Sequence, residues 1–288
     1  MNSATNENFK IDTWGRWSIV WVHENAIEDA LQLFRQKVVD GFGISPYIGF
    51  KGHDLSFLYD IDDQFGLVLP VSKGFLCQEI VLIKSLKFLA IGGKDREVLD
   101  FSDLSNLESL AITWIRGDKL PKAGPHLKEL SLRECSLKSK DFNELPEYIS
   151  LEKLRMVGGN IVSLSGIEKY KLLRKSEFYY MRNLKDISAL NQCDEVDELH
   201  FEGCKKIANI QCLEKCENLR TLKYIDCGEI QSLSILNSFK ALDFFAFVKT
   251  DVIDGDMTPL FRLKYAGFLN KRSYSHTFEQ VSEIQQQG

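Results

Sequence analysis

Four cysteines, Cys204, Cys212, Cys216 and Cys227, fall within 24 residues in the segments FEGCKKI, CLEKC and KYIDCGEI. Thiolates at such spacing can hold zinc, provided that pairs of them converge on a tetrahedral centre. A second group with chemical potential is His200 with Glu177 and Glu202, since a histidine flanked by carboxylates can act as a general acid and base. A third, Asp254-Gly255-Asp256, offers two carboxylates on a turn, without the longer run of oxygen ligands that a calcium loop needs. Which of these groups converges depends on the elements that carry it.

The chain has 288 residues, of which 44% are hydrophobic and 27% charged, the composition of an ordinary globular protein with a sizeable core. A formal net charge of -5 gives no bulk attraction to nucleic acid or to an anionic membrane surface. The opening MNSATNENFKIDTWGR lacks a basic start followed by an apolar run. No later stretch approaches the roughly 18 uninterrupted apolar residues of a membrane span. Seven cysteines without a secretory signal suit reduced thiols in a cytoplasm better than a disulfide framework.

A repeat organises the rest. The pattern apolar-x-x-apolar-x-apolar starts at Leu86, Leu107, Leu127, Leu151, Leu173, Val196, Leu219, Phe239 and Leu260, in steps of 20 to 24 residues. Each unit predicts one short strand whose first, fourth and sixth residues face inward. One such strand cannot bury its apolar side alone, so the units stack and share a core. The expected fold class is therefore an α/β solenoid, with a curved parallel sheet on the concave face. The convex face takes segments such as KDISALNQC, too short for long helices. Strands in such a sheet lie about 4.8 Å apart.

Repeat phase accounts for the cysteines. Cys135, Cys204 and Cys227 each lie three positions beyond the sixth-position residue of a strand. Cys193 and Cys216 each lie three residues before a strand's first apolar position, and Cys212 sits beside Leu213 at the repeat position of Leu190 and Leu236. They are expected to be structural filler, with no metal and no cofactor.

The ends depart from the period. WGRWSIVWV reads as a strand with Trp17, Ile19 and Trp21 on one face. ENAIEDALQLFRQKVVDG reads as an amphipathic helix whose face is Ile27, Ala30, Leu31, Phe34 and Val38, with Gly41 as its stop. Residues 1–64 are thus expected to cap the solenoid, residues 65–276 to form it with a degenerate first rung at Phe65, and residues 277–288 to be a polar tail. The aspartates around Gly255 are expected to form a turn or a helix cap.

The segments LKDISALNQCDEVDELHFEGCKKI and IQCLEKCENLRTLKYIDCGEI resemble the short-repeat class of the leucine-rich repeat superfamily. That class includes the protein phosphatase 1 regulator and the internalins. DGDMTPLFRLKYAGFLNKRSYSH is similar to the ending of small, freestanding bacterial leucine-rich repeat proteins. The resemblance covers about residues 65–276 and implies a non-enzymatic scaffold that binds a protein partner through its concave sheet. Some bacterial proteins of this kind neutralise a toxin, so an immunity protein is one job the resemblance leaves open.

On the outward side of the strands, charges of both signs alternate and partly neutralise one another, unlike a nucleic-acid surface. Trp114, Tyr179, Tyr180 and Phe245 occupy outward slots where solubility alone would favour polar groups. Large aromatics bordered by arginine and carboxylates suit interface anchors. The expected binding set is Trp114, Arg133, Arg155, Glu177, Tyr179, Tyr180, His200, Glu202, Asp226 and Phe245. Arg262 and Lys264 follow outward in the last strand. Ser176 stands where the pattern asks for an apolar anchor, so that rung is either loosened or shifted by one residue in register. Two other readings stand beside the scaffold. One is hydrolase or transferase chemistry around His200. The other is an adaptor that docks through the cluster Asn270, Lys271, Arg272, Tyr274 and His276, whose simpler role is to seal the last rung.

Overall fold

The computed structural model describes residues 9–51, 54–70, 78–207 and 209–287, so Cys77 lies outside the described residues. The chain forms two compact units, Met1–Leu127 and Lys128–Gly288.

In the N-terminal unit, β1 (Ile11–Trp14) and β2 (Trp17–Trp21) form an antiparallel hairpin. β2 then pairs in parallel with β3 (Gly41–Gly43), β3 with β4 (Phe65–Pro70), β4 with β5 (Leu86–Gly92), and β5 with β6 (Ser109–Thr113). Helix α1 (Ile27–Arg35) buries Ala30, Leu31 and Phe34, and the Phe34 ring meets Phe42 at 5.3 Å and Phe65 at 6.1 Å. Two expectations change here. The helix ends at Arg35, which leaves Val38 exposed, and Gly41 opens a strand instead of stopping a helix. The parallel ladder therefore begins at β2, ahead of the repeat period. With only Phe42 as an apolar side chain, the strand GFG has no alternation that a pattern search can register.

The outward face of this unit is apolar. Ile19, Trp21, Val68, Phe88 and Ala90 form a buried cluster against Trp17, Ile48 and Ala111. The Trp17 ring stacks on Phe88 with centroids 5.7 Å apart. Gly43 makes room for Trp21, since a Cβ there would lie 2.6 Å from the indole. On the loop side, Arg96 and Asp118 form a fully buried two-pronged pair at 2.6 and 2.9 Å. Asp118 also accepts from the backbone N–H of Leu99 and Ile115, so one carboxylate ties down the segment that leaves β6.

In the C-terminal unit, β7 (Glu129–Arg133), β8 (Lys153–Val157), β9 (Lys175–Tyr179), β10 (Glu198–Glu202), β11 (Thr221–Ile225), β12 (Phe244–Ala246) and β13 (Tyr265–Gly267) pair in that order, each parallel to the next. Inward residues stack in two ladders. Leu130, Leu154, Ser176, Leu199, Leu222, Phe245 and Ala266 form one of them. Leu132, Met156, Phe178, Phe201 and Tyr224 form the other, with the Phe178 and Phe201 rings stacked at 5.2 Å. The strands return through short 3-10 turns such as Ser188–Gln192 and Gln211–Leu213. Parallel strands one rung apart, short returns and a shared apolar interior make this a leucine-rich repeat fold.

Ser176 keeps the register. It is fully buried in the inward ladder between Leu154 and Leu199, and its Oγ has no hydrogen-bond partner among the described residues. The last two rungs are shifted from expectation. Their inward residues are Leu242, Phe245 and Phe247, then Leu263, Ala266 and Phe268, so these units start at Leu242 and Leu263. The sequence FKALDFFAF satisfies the pattern in two phases, and within the strand it is Phe245 and Phe247 of the second that bury, while Phe244 of the first does not.

The segment after β13 forms α2 (Phe278–Gln287) where a polar tail was expected. Thr277 and Gln280 build a reciprocal cap at its start, a T-x-x-Q signature legible in SHTFEQ. Val281 is fully buried, Phe278 packs edge-on to Phe268, and Gln285 donates to the Leu260 carbonyl at 2.8 Å. Among the described residues, no helix is long and apolar enough to cross a membrane.

Candidate functional site

Period-two alternation places three rows of side chains on the outward face of the C-terminal unit. The first row is Glu129, Lys153, Lys175, Glu198, Thr221, Phe244 and Tyr265. The second is Ser131, Arg155, Glu177, His200, Lys223, Ala246 and Gly267. The third is Arg133, Val157, Tyr179, Glu202 and Ile225.

Five of the expected residues meet in one network. The Arg155 guanidinium lies over the Tyr179 ring, 4.8 Å from its centroid. The Tyr179 hydroxyl is 3.0 Å from His200 Nδ1, and His200 Nε2 faces Glu202 Oε2 at 3.6 Å, too long for a hydrogen bond. Glu202 accepts from the Tyr180 hydroxyl at 3.0 Å. Burial pushes the His200 pKa below its ordinary value and the Lys223 ammonium adds to this, so the ring is neutral at neutral pH. A neutral ring that accepts from Tyr179 at Nδ1 carries its proton on Nε2, facing Glu202. Burial first, and then Glu177, raises the Tyr179 pKa, so its hydroxyl stays a donor. Glu177 adjoins this network, 3.3 Å from Lys175 and 4.0 Å from Arg155.

The other expected residues scatter. Arg133 is exposed on the third row, diagonal to Arg155. Asp226, like the networked Tyr180, lies just past its strand with left-handed backbone, φ 47° and 53° respectively, but it pairs with Lys205 at 3.2 Å. Trp114 belongs to the N-terminal unit, beyond the end of β6. It is half-buried where an exposed ring was expected, and its indole N–H has no acceptor among the described residues. Phe245 is corrected outright. It is fully buried on the inward face, and Phe244 takes the outward slot, stacked on Tyr265 at 4.9 Å beneath the Lys223 ammonium. Arg262 is corrected too: its Nη2 donates to the carbonyls of Leu236 and Phe239 instead of facing outward. Phe244, Tyr265, Lys175 and Glu198 complete the face and were absent from the expected set. Starting the last repeats at Leu242 and Leu263 is the signal that finds the first two.

The cysteines sit in the ladder. Cys135, Cys193, Cys204 and Cys216 are buried. Cys204 donates to the Phe178 carbonyl at 3.3 Å, and Cys227 to that of Ile225 at 3.2 Å. Thr250 fills the same slot one rung on, donating to the Tyr224 carbonyl and accepting from Cys227 N–H. The slot thus asks for a small donor that satisfies the backbone leaving the strand. Burial pushes Cys193 and Cys216 up to about 12 and Cys212 to about 11, so these thiols are protonated at neutral pH. Among the described residues, no three histidine, cysteine or carboxylate groups converge as metal ligands. Asp254 and Asp256 each accept a backbone N–H two residues on, which spends them on the turn. Within the C-terminal cluster, Asn270 bonds Glu279 and the Phe278 N–H, Lys271 pairs with Asp251, Tyr274 accepts from Val252 N–H, and His276 bonds Ser275.

Fold and face together define a leucine-rich repeat protein whose C-terminal unit presents a mixed aromatic and charged sheet surface. No protein-family model matches the chain, and no curated protein matches it. Among solved structures it is similar to the internalin InlF of Listeria monocytogenes, with 17% identity and a TM-score of 0.48 over 75% of this chain and 56% of that one. It is similar also to internalin C2 of Listeria monocytogenes, with 19% identity and a TM-score of 0.44 over 58% of this chain and 73% of that one. A leucine-rich repeat protein of Leptospira interrogans shows 13% identity and a TM-score of 0.31 over 81% of this chain and 78% of that one. The chain thus spans 56% of the InlF chain it matches. The fold assignment rests on strand register and core ladders, independently of these likenesses.

Proposed function

We propose that the outward sheet face of the C-terminal unit is a protein-binding surface centred on Tyr179 and acting without catalysis. The observation that carries this reading is the chain of contacts Arg155–Tyr179–His200–Glu202–Tyr180. It holds two tyrosines and an arginine, residue types enriched at binding hot spots, in one fixed arrangement on a regular sheet. Such pre-organisation lowers the entropy lost when a partner docks. Catalysis around His200 is the weaker reading. The Tyr179 hydroxyl is engaged with the imidazole at 3.0 Å and its pKa is raised, and Cys204 is fully buried. Free thiols among the described residues fit a reducing compartment such as the cytoplasm. In this reading residues 65–276 carry the repeat, and the flanking segments, including the parallel strands β2 and β3, cap it. Neutralisation of a toxin is the particular job within this reading, carried by the resemblance of the repeats alone, and a toxin-like product of the adjacent gene would serve as its first test partner.

Affinity capture from the native cell, read by mass spectrometry, tests the surface. The Tyr179→Ala/Tyr180→Ala variant should lose the captured partner while its melting temperature holds within a few degrees. Loss of about 2 kcal/mol or more in binding marks a hot spot. Retention of the partner by the double variant would place the interface elsewhere.

A further inference from the structure

Several cations on and beside the outward face are closely matched by carboxylates, whereas Lys223 meets the Phe244 ring and Arg155 and Arg133 are held loosely or not at all by carboxylates among the described residues. Lys153 pairs with Glu129 at 2.7 Å, Lys175 with Glu198 at 2.9 Å, Arg174 with Asp197 at 2.6 Å and Lys264 with Asp243 at 2.9 Å. Arg155 is different. Its nearest carboxylate oxygen, on Glu177, stands 4.0 Å from Nε, and Lys175 holds the other oxygen of that group at 3.3 Å. Arg155 keeps half of its side-chain surface open. Tyr179 supports the guanidinium from below, so the planar fork is held while its terminal N–H donors stay free for a ligand. Arg133 stands diagonally across on β7, exposed and with no carboxylate partner among the described residues. Diagonal positions on one sheet face lie about 7–8 Å apart, within the joint reach of two arginine side chains.

We infer that Arg155 and Arg133 form a clamp for a carboxylate side chain, so the protein partner of this face presents an aspartate or glutamate of an acidic segment there. A stacked, pre-oriented guanidinium binds a carboxylate through two parallel hydrogen bonds, and the second arginine supplies the remaining charge. A singly charged group suits the site better than a phosphate dianion. Glu177 on the next strand and Glu202 on the one after it lie to one side of the clamp and would repel the second negative charge. The same alternation of carboxylates disfavours a nucleic-acid backbone, which needs a one-signed track.

This inference rests on the binding reading above and is tested separately from it. A displayed library of random 16-residue peptides is selected on the full chain, and the recovered peptides are measured by fluorescence anisotropy. Selected peptides should be enriched in Asp and Glu. Their affinity should fall at least tenfold on Arg155→Gln, fall less on Arg133→Gln, and weaken as salt rises. Arg155→Lys keeps the charge and should restore only part of the loss, because an ammonium offers no two-pronged fork. Unchanged melting temperatures show that the variants are folded. The inference is overturned if no peptide is recovered, if the recovered peptides lack acidic residues, or if Arg155→Gln leaves affinity unchanged. Replacing the key acidic residue by phosphoserine should weaken binding, and tighter binding would make the site a phosphate reader instead. Should the tyrosine double variant lose its captured partner while Arg155→Gln keeps it, the face is the interface and the clamp is wrong.

Discussion

Ser176 occupies a leucine slot with its hydroxyl fully buried and unpaired among the described residues. An unsatisfied buried hydroxyl carries its desolvation cost with nothing returned. Ser176→Ala should therefore stabilise the protein by about 1 kcal/mol in urea unfolding, and a loss of stability would mean that the hydroxyl has a partner after all. His200 gives a pH dependence of known sign. Its folded pKa is lowered by burial and by Lys223, against the opposing pull of the Glu177, Glu202 and Glu198 carboxylates. The unfolded chain thus binds more protons than the folded one below about pH 6.5, so stability falls as pH drops through that region and is fully present above it. His200→Gln should flatten the slope of unfolding free energy between about pH 7 and pH 5. Parallel slopes for the two proteins would remove His200 from that role.

At the scale of the element, the strands carry binding groups on one face and core on the other, so a shift in register reverses every assignment. β12 shows this most directly. Phe244 stacks on Tyr265 outside, and Phe245 packs against Phe247 inside with centroids 5.2 Å apart. Phe245→Ala should cost about 3–5 kcal/mol, the usual effect of emptying a large buried ring site. Phe244→Ala should cost about 1 kcal/mol, in the range of one cross-strand pair. Calorimetric melts of the two variants check the register, which would be wrong if the order of the losses were reversed. β10 and its neighbours bring together Tyr179, His200 and Glu202, which lie up to 23 residues apart in sequence, solely because the strands pair in register.

For the molecule as a whole, stability in a repeat ladder is close to a sum of neighbour terms, since each rung touches only the next. In the C-terminal unit, α2 covers the final rung through Phe278 and Val281. Truncation after His276 should expose Phe268 and loosen β13 and then β12, while β8 and β9 keep their protection. Hydrogen exchange followed by mass spectrometry reads this gradient directly. Uniform loss of protection across the unit would show instead that it opens as one block.

The repeat was legible in the chain without coordinates, because stacked strands must present an apolar residue at the same phase each time. Leu130, Leu154, Leu199 and Leu222 announce their burial without coordinates, and the cysteine slots follow from the same phase. The tyrosine at 179 was legible as outward for that reason too. Where two phases were equally apolar, as in FKALDFFAF, only the core could choose. It took Phe245 and Phe247, whose rings fill the ladder beside Phe268, and left Phe244 outside. Tertiary structure alone also set β3 in the sheet, folded the C-terminal segment into α2, buried Arg96 against Asp118 and hung Arg155 over Tyr179. Periodicity reports which way a side chain points, but contacts depend on which strand lies alongside, and that is settled only when the chain closes on itself.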